Sequence, residues 1–391
     1  MQSLKKFYFG KSKFKPFVST WKTDNLSTGS STATQVKLPL VSTGSYNFVV
    51  EWGDGTQSTI TAWNQAQVTK TYSVAGTYQI TIKGRCIGWV FNNTGDRLKI
   101  LSIQQWGSLS LGTNQGNYFY GCSNLNLSSV SDVLNLNGLS SINYCFRACS
   151  SITTINKINE WNLRNLNPIG LFYACTSFNQ DLGALNVSNV TSFAEMFFGC
   201  NLFNNGGSPS INNWSINTSV DISFFAMFQN APAFNQPIGN LNTSRVTSMN
   251  RMFNGATSFN QNISNWNTSN VIDFTNMFWS ATAFNQNIGG WNTSAVVDMN
   301  SMFRSATAFN QNIGSWNVSN VTNLTNFMLG KTPATFSSAN LDAIYDGWSS
   351  RPVKTPITIS FGTAKYTAAG AAGRAILTGA PNNWAITDGG I

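Results

Sequence analysis

Repetition constrains this chain more than any other feature. Aromatic-led tetrads recur as YFYGC at Phe119, CFRAC at Phe146, LFYAC at Phe172 and MFFGC at Phe197. They continue as MFQNA, MFNGA, MFWSA and MFRSA at Phe228, Phe253, Phe278 and Phe303. The phenylalanines are separated by 27, 26, 25, 31, 25, 25 and 25 residues, and a degenerate copy follows at Phe327–Gly330. The step of 31 contains the insertion NNGGSPS, Asn204–Ser210, expected to bulge from one copy. A unit this short cannot bury its apolar face alone, whereas stacked units share one continuous core. Residues 86–330 are therefore expected to form a solenoid of about nine coils with a period of about 25.

Within one unit the apolar period changes. Val271, Phe274, Met277, Phe278, Ala281 and Phe284 step by three or four, which predicts a short helix or 3₁₀ segment. FNQNIGGWNTS then predicts a turn and a short strand. A structural ladder emerges from the register: Phe234, Phe259, Phe284 and Phe309, then Asn235, Asn260, Asn285 and Asn310. The phenylalanines are expected to fill the hollow, and the asparagines to link consecutive coils through their side-chain amides. An amide surface for sugars is the competing reading of the asparagine column. Trp266, Trp291 and Trp316 are read as core, because Leu185 and Leu241 occupy the equivalent place.

The absent residues exclude much chemistry. The chain has no histidine, so Ser-His-Asp and Cys-His nucleophilic catalysis and His-ligated metals are ruled out. Cys122, Cys149, Cys175 and Cys200 sit where later copies place Ala231, Ala256, Ala281 and Ala306. A position that alternates between Cys and Ala wants a small buried side chain, so free core thiols are expected rather than metal ligands or disulfides. Only 9% of residues are charged. Asp273 and Asp298 match in adjacent copies, but a solvated surface is the better reading than an acid/base pair. Asp54, in a Gly-flanked turn, is read as capping its own backbone. The Asn-x-Ser/Thr strings at Asn217, Asn242, Asn267, Asn292 and Asn317 are read as turns. No catalytic, cofactor or metal site is expected, and the chain is expected not to be an enzyme.

The flanks differ from the repeats. Residues 1–20 read as a basic, aromatic arm whose anchoring candidates are Lys5, Lys6, Phe7, Phe9, Lys11, Lys13, Phe14, Lys15 and Phe17. The lysines supply more than half of the formal +9; a solubilising or assembly tail is the competing reading, the aromatics favour a protein groove over a purely solvated tail, and nucleic acid is not the expected partner. No apolar h-region follows, so ordinary secretion is not expected if Met1 is the native start. No apolar run is long enough to span a membrane. Residues 21–85 read as all-β: Phe48, Val50 and Trp52 alternate before the turn at Gly53–Thr56, and Tyr78, Ile80 and Ile82 share a later face. Residues 331–391 predict an α/β cap. A helix there starts at Ser337 or Ser338 with Leu341, Ile344, Tyr345 and Trp348 on one face, and the ending reads as complete.

Two resemblances follow from these residues. VVEWGDGT and KTYSVAGTYQITI resemble the polycystic-kidney-disease (PKD) type of immunoglobulin-like sandwich, which implies a spacer or binding module. Units such as MFNGATSFNQNISNWNTSNV resemble the repeats of BspA-like leucine-rich-repeat surface proteins, over roughly residues 98–330. The preceding sandwich and QQWGSL fit the same family's arrangement. That resemblance implies a curved solenoid and a role in adhesion or surface display, and repeats of this kind also occur in phage structural proteins. The expected fold is thus mainly β with short helices: an Ig-like sandwich, a leucine-rich-repeat-type solenoid and an α/β cap. The expected function is a non-enzymatic structural and binding protein on a phage virion, with a bacterial cell-surface adhesin as the alternative. Its expected partners are virion or surface proteins at the N-terminal region, and a receptor or glycan on the solenoid.

Overall fold

The computed structural model describes residues 15–113, 116–163 and 166–391. The chain is mainly β, with a few short helices. It divides into two compact units, Met1–Ser141 with Ser151–Trp161, and Ile142–Ser150 with Asn162–Ile391.

The first unit holds β1 (Phe17–Lys22), β2 (Gln35–Lys37), β3 (Leu40–Glu51), β4 (Gln57–Ile60), β5 (Thr69–Thr71), β6 (Thr77–Trp89), β7 (Ile100–Gln105) and β8 (Leu109–Ser110). The main sheet runs β4-β3-β6-β1-β7, with β8 added on β6, while β2 and β5 pair separately. Alternation does the sorting. Phe48 and Val50 of β3 and Ile80 and Ile82 of β6 are buried, as is Trp52 just past β3. The sheet is wider than residues 21–85. Phe17, Ser19 and Trp21 point inward from β1, which is antiparallel to both β6 and β7. Residues 17–20 therefore belong to the sheet and not to an arm, and β6 carries the sheet past residue 85.

The second unit is organised by bonds between copies of the repeat. Parallel bridges join Ser192 to Ser223, Ser248 to Asp273, Asp273 to Asp298 and Asp298 to Asn323. Two of these lie beside a short ladder between β9 (Ile222–Ser223) and β10 (Val246–Ser248). The helix expected over Val271–Phe284 is absent. Met277, Trp279 and Ala281 donate three residues back, to Phe274, Asn276 and Phe278, as in successive turns. The intervening Phe274, Asn276, Phe278 and Ser280 donate instead to Asp298, Asn300, Met302 and Arg304 in the next copy, at 2.8–2.9 Å. A helix would consume those N–H groups internally. Left-handed backbone at Asn276 and Ser280 (φ 57° for both) breaks the run. The strand expected in FNQNIGGWNTS is also absent, because Asn287 and Asn292 close tight turns there and the bridging falls at Asp273.

The last repeat passes its pattern to the C-terminal region. This contains α1 (Ser338–Ser349), β11 (Thr358–Ser360), α2 (Ala371–Thr378) and β12 (Ala385–Thr387), the two strands being parallel. Ser337 caps α1, whose Leu341, Ile344, Tyr345 and Trp348 are buried. Ile359 bridges Leu324, Met328 N–H donates to Ser360, and Trp348 Nε1 donates to the Ile313 carbonyl. A sheet edge and an apolar end are covered together.

Candidate functional site

The ladder residues interlock. Phe234, Phe259, Phe284 and Phe309 are fully buried, and successive rings stack at 5.9–6.0 Å. Asn235 Oδ1 accepts from Asn260 N–H at 3.0 Å, Asn260 from Asn285 at 2.9 Å, and Asn285 from Asn310 at 2.9 Å. Asn310 passes the pattern on to Ser337 N–H at 2.9 Å. Gln261, Gln286 and Gln311 donate to the same oxygens. The oxygens are thus committed to the backbone of the next copy. Trp266, Trp291 and Trp316 are buried too, and their Nε1 groups donate to the carbonyls of Ile238, Ile263 and Ile288.

Reactive groups are held the same way. All six cysteines are buried, and Cys86, Cys175 and Cys200 are free thiols. Cys175 and Cys200 donate to the Phe146 and Phe172 carbonyls at 2.9 Å. Burial pushes the Cys175 thiol up to about 12 and the Cys200 thiol well above its ordinary value. The carboxylates of Asp273 and Asp298, whose backbones are bridged, are engaged separately: each accepts from an N–H two residues on and from an asparagine amide, Asn250 or Asn323. Asp54 accepts from Thr56 and pairs with Lys70 at 2.7 Å. Thr56 and Lys70 hold its carboxyl down to about 2, against the opposing effect of desolvation. The Asn-x-Ser/Thr asparagines each accept from the N–H two residues on, at 2.8–3.0 Å. Among the described residues no cluster of His, Cys, Asp or Glu could hold a metal, and no helix is long and apolar enough to cross a membrane.

Of the anchoring candidates, Lys5, Lys6, Phe7, Phe9, Lys11, Lys13 and Phe14 lie outside the described residues. Lys15 is exposed. Phe17 is not available for docking: it is fully buried in β1, its ring 5.2 Å from that of Trp89.

Three features escaped sequence reasoning. Lys99 is fully buried 3.6 Å from Asp96, its ammonium donating to the carbonyls of Ser31, Thr32 and Gln35. Asp96 in turn accepts from the N–H groups of Ser31 and Lys37. The i,i+3 spacing of Asp96 and Lys99 was the one visible hint. Lys331, also buried, points its ammonium at the carbonyls of Ala306, Thr307, Phe309 and Thr335, and burial lowers its pKa to about 7. Nothing in the sequence distinguishes it from a surface lysine. The third is Trp63, which is 45% exposed and lines a cleft of about 270 Å³ with Lys37, Leu40 and Asn64. Its signal was a tryptophan in a polar stretch with no alternating apolar partners. By contrast, Tyr173 and Phe198 stack ring on ring at 4.3 Å under Arg147, so those faces are already occupied.

The family model described as Mycoplasma protein of unknown function, DUF285, matches residues 140–246 and 222–340. Together the two matches span just over half of the chain. The chain belongs to the DUF285 family. The DUF285 matches take in the whole phenylalanine and asparagine ladder and stop within α1. No curated protein matches the chain.

Proposed function

We propose that this DUF285 protein is a non-enzymatic structural and binding protein exposed on an outer surface, as a capsid decoration, fibre or tail adhesion component of a phage virion. In this reading the first unit is an Ig-like sandwich of the PKD type, the repeats form a leucine-rich-repeat-type solenoid, and the C-terminal region caps it. The observation that carries the reading is the commitment of the repeat's chemistry to its own stacking. Thiols, indoles, phenylalanines and ladder amide oxygens are spent on the neighbouring copy. What remains outward is mostly hydroxyl and amide, with few charges and the exposed side chains of Leu202, Val220, Ile272 and Val297, which suits contact rather than turnover.

A second reading is a bacterial cell-surface adhesin; the family description names a Mycoplasma protein, which is consistent with a bacterial source. Immunogold labelling separates the two. Antibody against the full chain should decorate purified particles. Label on intact cells with none on particles supports the adhesin instead, and label confined to the cell interior overturns both.

A further inference from the structure

We propose that the cleft beside Trp63 is a binding site for an acidic saccharide. The proposal deepens the binding role above, not the location, and places a saccharide on the N-terminal unit, whereas the glycan expected from the sequence was on the repeats.

Trp63 is the one exposed tryptophan among the described residues. An indole held in water forgoes the gain its burial would bring elsewhere in this chain. The loop that carries it is nevertheless fixed. The Gln65 side chain accepts from the N–H groups of Thr61 and Ala62, at 2.8 and 3.0 Å, and donates to the Thr59 carbonyl at 2.8 Å. One amide therefore ties the backbone on the N-terminal side of Trp63 to position 65, which fixes the loop that carries the ring and lowers the ordering cost of binding. Such an outward aromatic face on a hydrogen-bonded loop differs from the Tyr173 and Phe198 rings, which cover each other.

The rest of the lining selects the ligand class. A sugar ring has an apolar C–H face and a hydroxyl edge, so it needs a flat apolar surface flanked by polar groups. Trp63 and Leu40 supply the first, and the exposed amide of Asn64 the second. Lys37 is the one ionisable side chain in this lining. It extends from β2, whose pairing with Thr69 and whose backbone bond to Asp96 at 2.6 Å fix its origin. An ammonium placed there favours a sugar bearing a carboxylate or sulfate. A second cleft, of about 500 Å³, shares Lys37 and Leu40 and adds Thr28 and Ser31. A ligand of several sugar residues can therefore run across both, with Lys37 between them. Asp96 also lines that cleft, but its oxygens are occupied by Ser31 and Lys37 N–H groups.

The test uses the full chain on an array of uronate-, sialate- and sulfate-bearing oligosaccharides printed beside neutral counterparts. The wild type should retain acidic chains over neutral ones, and less strongly as salt is added. Trp63→Ala should weaken retention about tenfold or more with unchanged melting, since the ring is exposed. Lys37→Gln should erase the preference for acidic chains. Equal retention of neutral and acidic chains, retention of none, or wild-type retention by Trp63→Ala overturns the proposal. So does a Trp63-dependent protein ligand found with no saccharide retained. The surface reading fails separately: it is lost if immunogold finds the chain on neither particles nor cells, whatever the array shows.

Discussion

At the scale of single residues, the columns explain why one position accepts two side chains. Cys175 and Cys200 fill the place that Ala231, Ala256 and Ala281 take later, and all are buried. The thiol adds one buried Sγ–H, which donates to the carbonyl of an earlier copy. That proton has a consequence for alkaline stability. The folded pKa of Cys175 is raised to about 12 from 9.0, and that of Cys200 also lies well above 9.0. A raised folded pKa means that unfolded thiols deprotonate first, so their stabilisation is whole below pH 9 and is lost as pH rises toward about 12. We expect melting temperature to fall across that window. Cys175→Ala with Cys200→Ala should shrink the fall while leaving melting at pH 7 close to wild type. Thiol reagents should label the native wild type slowly and the denatured chain at once. An unchanged alkaline slope in the double variant would show that other groups set it.

At the scale of the element, the sequence displayed period and register but not backbone conformation. Phe234 to Phe309 and Asn235 to Asn310 were legible because identical residues recur at a fixed step, and stacking makes identity at a fixed step physically useful. The helix was misread because i, i+3 apolar spacing is shared by helices and by tandem turns. Only left-handed Asn276 and Ser280, which no sequence rule demands, turn alternate N–H groups toward the next copy. Trp63 was illegible for the opposite reason: it belongs to no period. The asparagine column makes a prediction that the pattern alone could not. The Oδ1 atoms of Asn235, Asn260 and Asn285 each accept from the next Asn N–H and from a Gln amide, and that of Asn310 accepts from Ser337 N–H and the Asn340 amide. Asn285→Asp keeps an acceptor and should cost little, whereas Asn285→Ala removes it and should cost about 1 kcal/mol. Aspartate at 235, 260, 285 and 310 together would stack like charges one copy apart. That variant should melt well below the sum of its singles and recover with added salt. Additive, salt-independent losses would mean the column is not a continuous ladder.

At the scale of the whole molecule, the position of β1 changes what an anchoring experiment must remove. The arm was read as residues 1–20, yet β1 begins at Phe17 and lies between β6 and β7, bonded to both. Deleting residues 1–20 removes most of a central strand, with Phe17 from the core, and leaves two neighbouring strands with unpaired edges. Loss of attachment by that variant would report unfolding of the first unit, not loss of an anchor. Deleting residues 1–14 leaves β1 and the exposed Lys15 in place. The shorter deletion should melt as the full chain does, while the longer one should lose the transition of the first unit and leave that of the repeats. Four of the arm's five lysines go with the shorter deletion, as do Phe7, Phe9 and Phe14. If the arm anchors the protein, this truncated chain should fold normally and fail to join its parent particle or cell surface. Salt then reports the chemistry: weakening of wild-type attachment by added salt points to the lysines, and indifference to salt points to the aromatic side chains. Full attachment by the chain that lacks residues 1–14 would move the anchor into the folded units, where the Trp63 cleft and the C-terminal region become the surfaces to vary next.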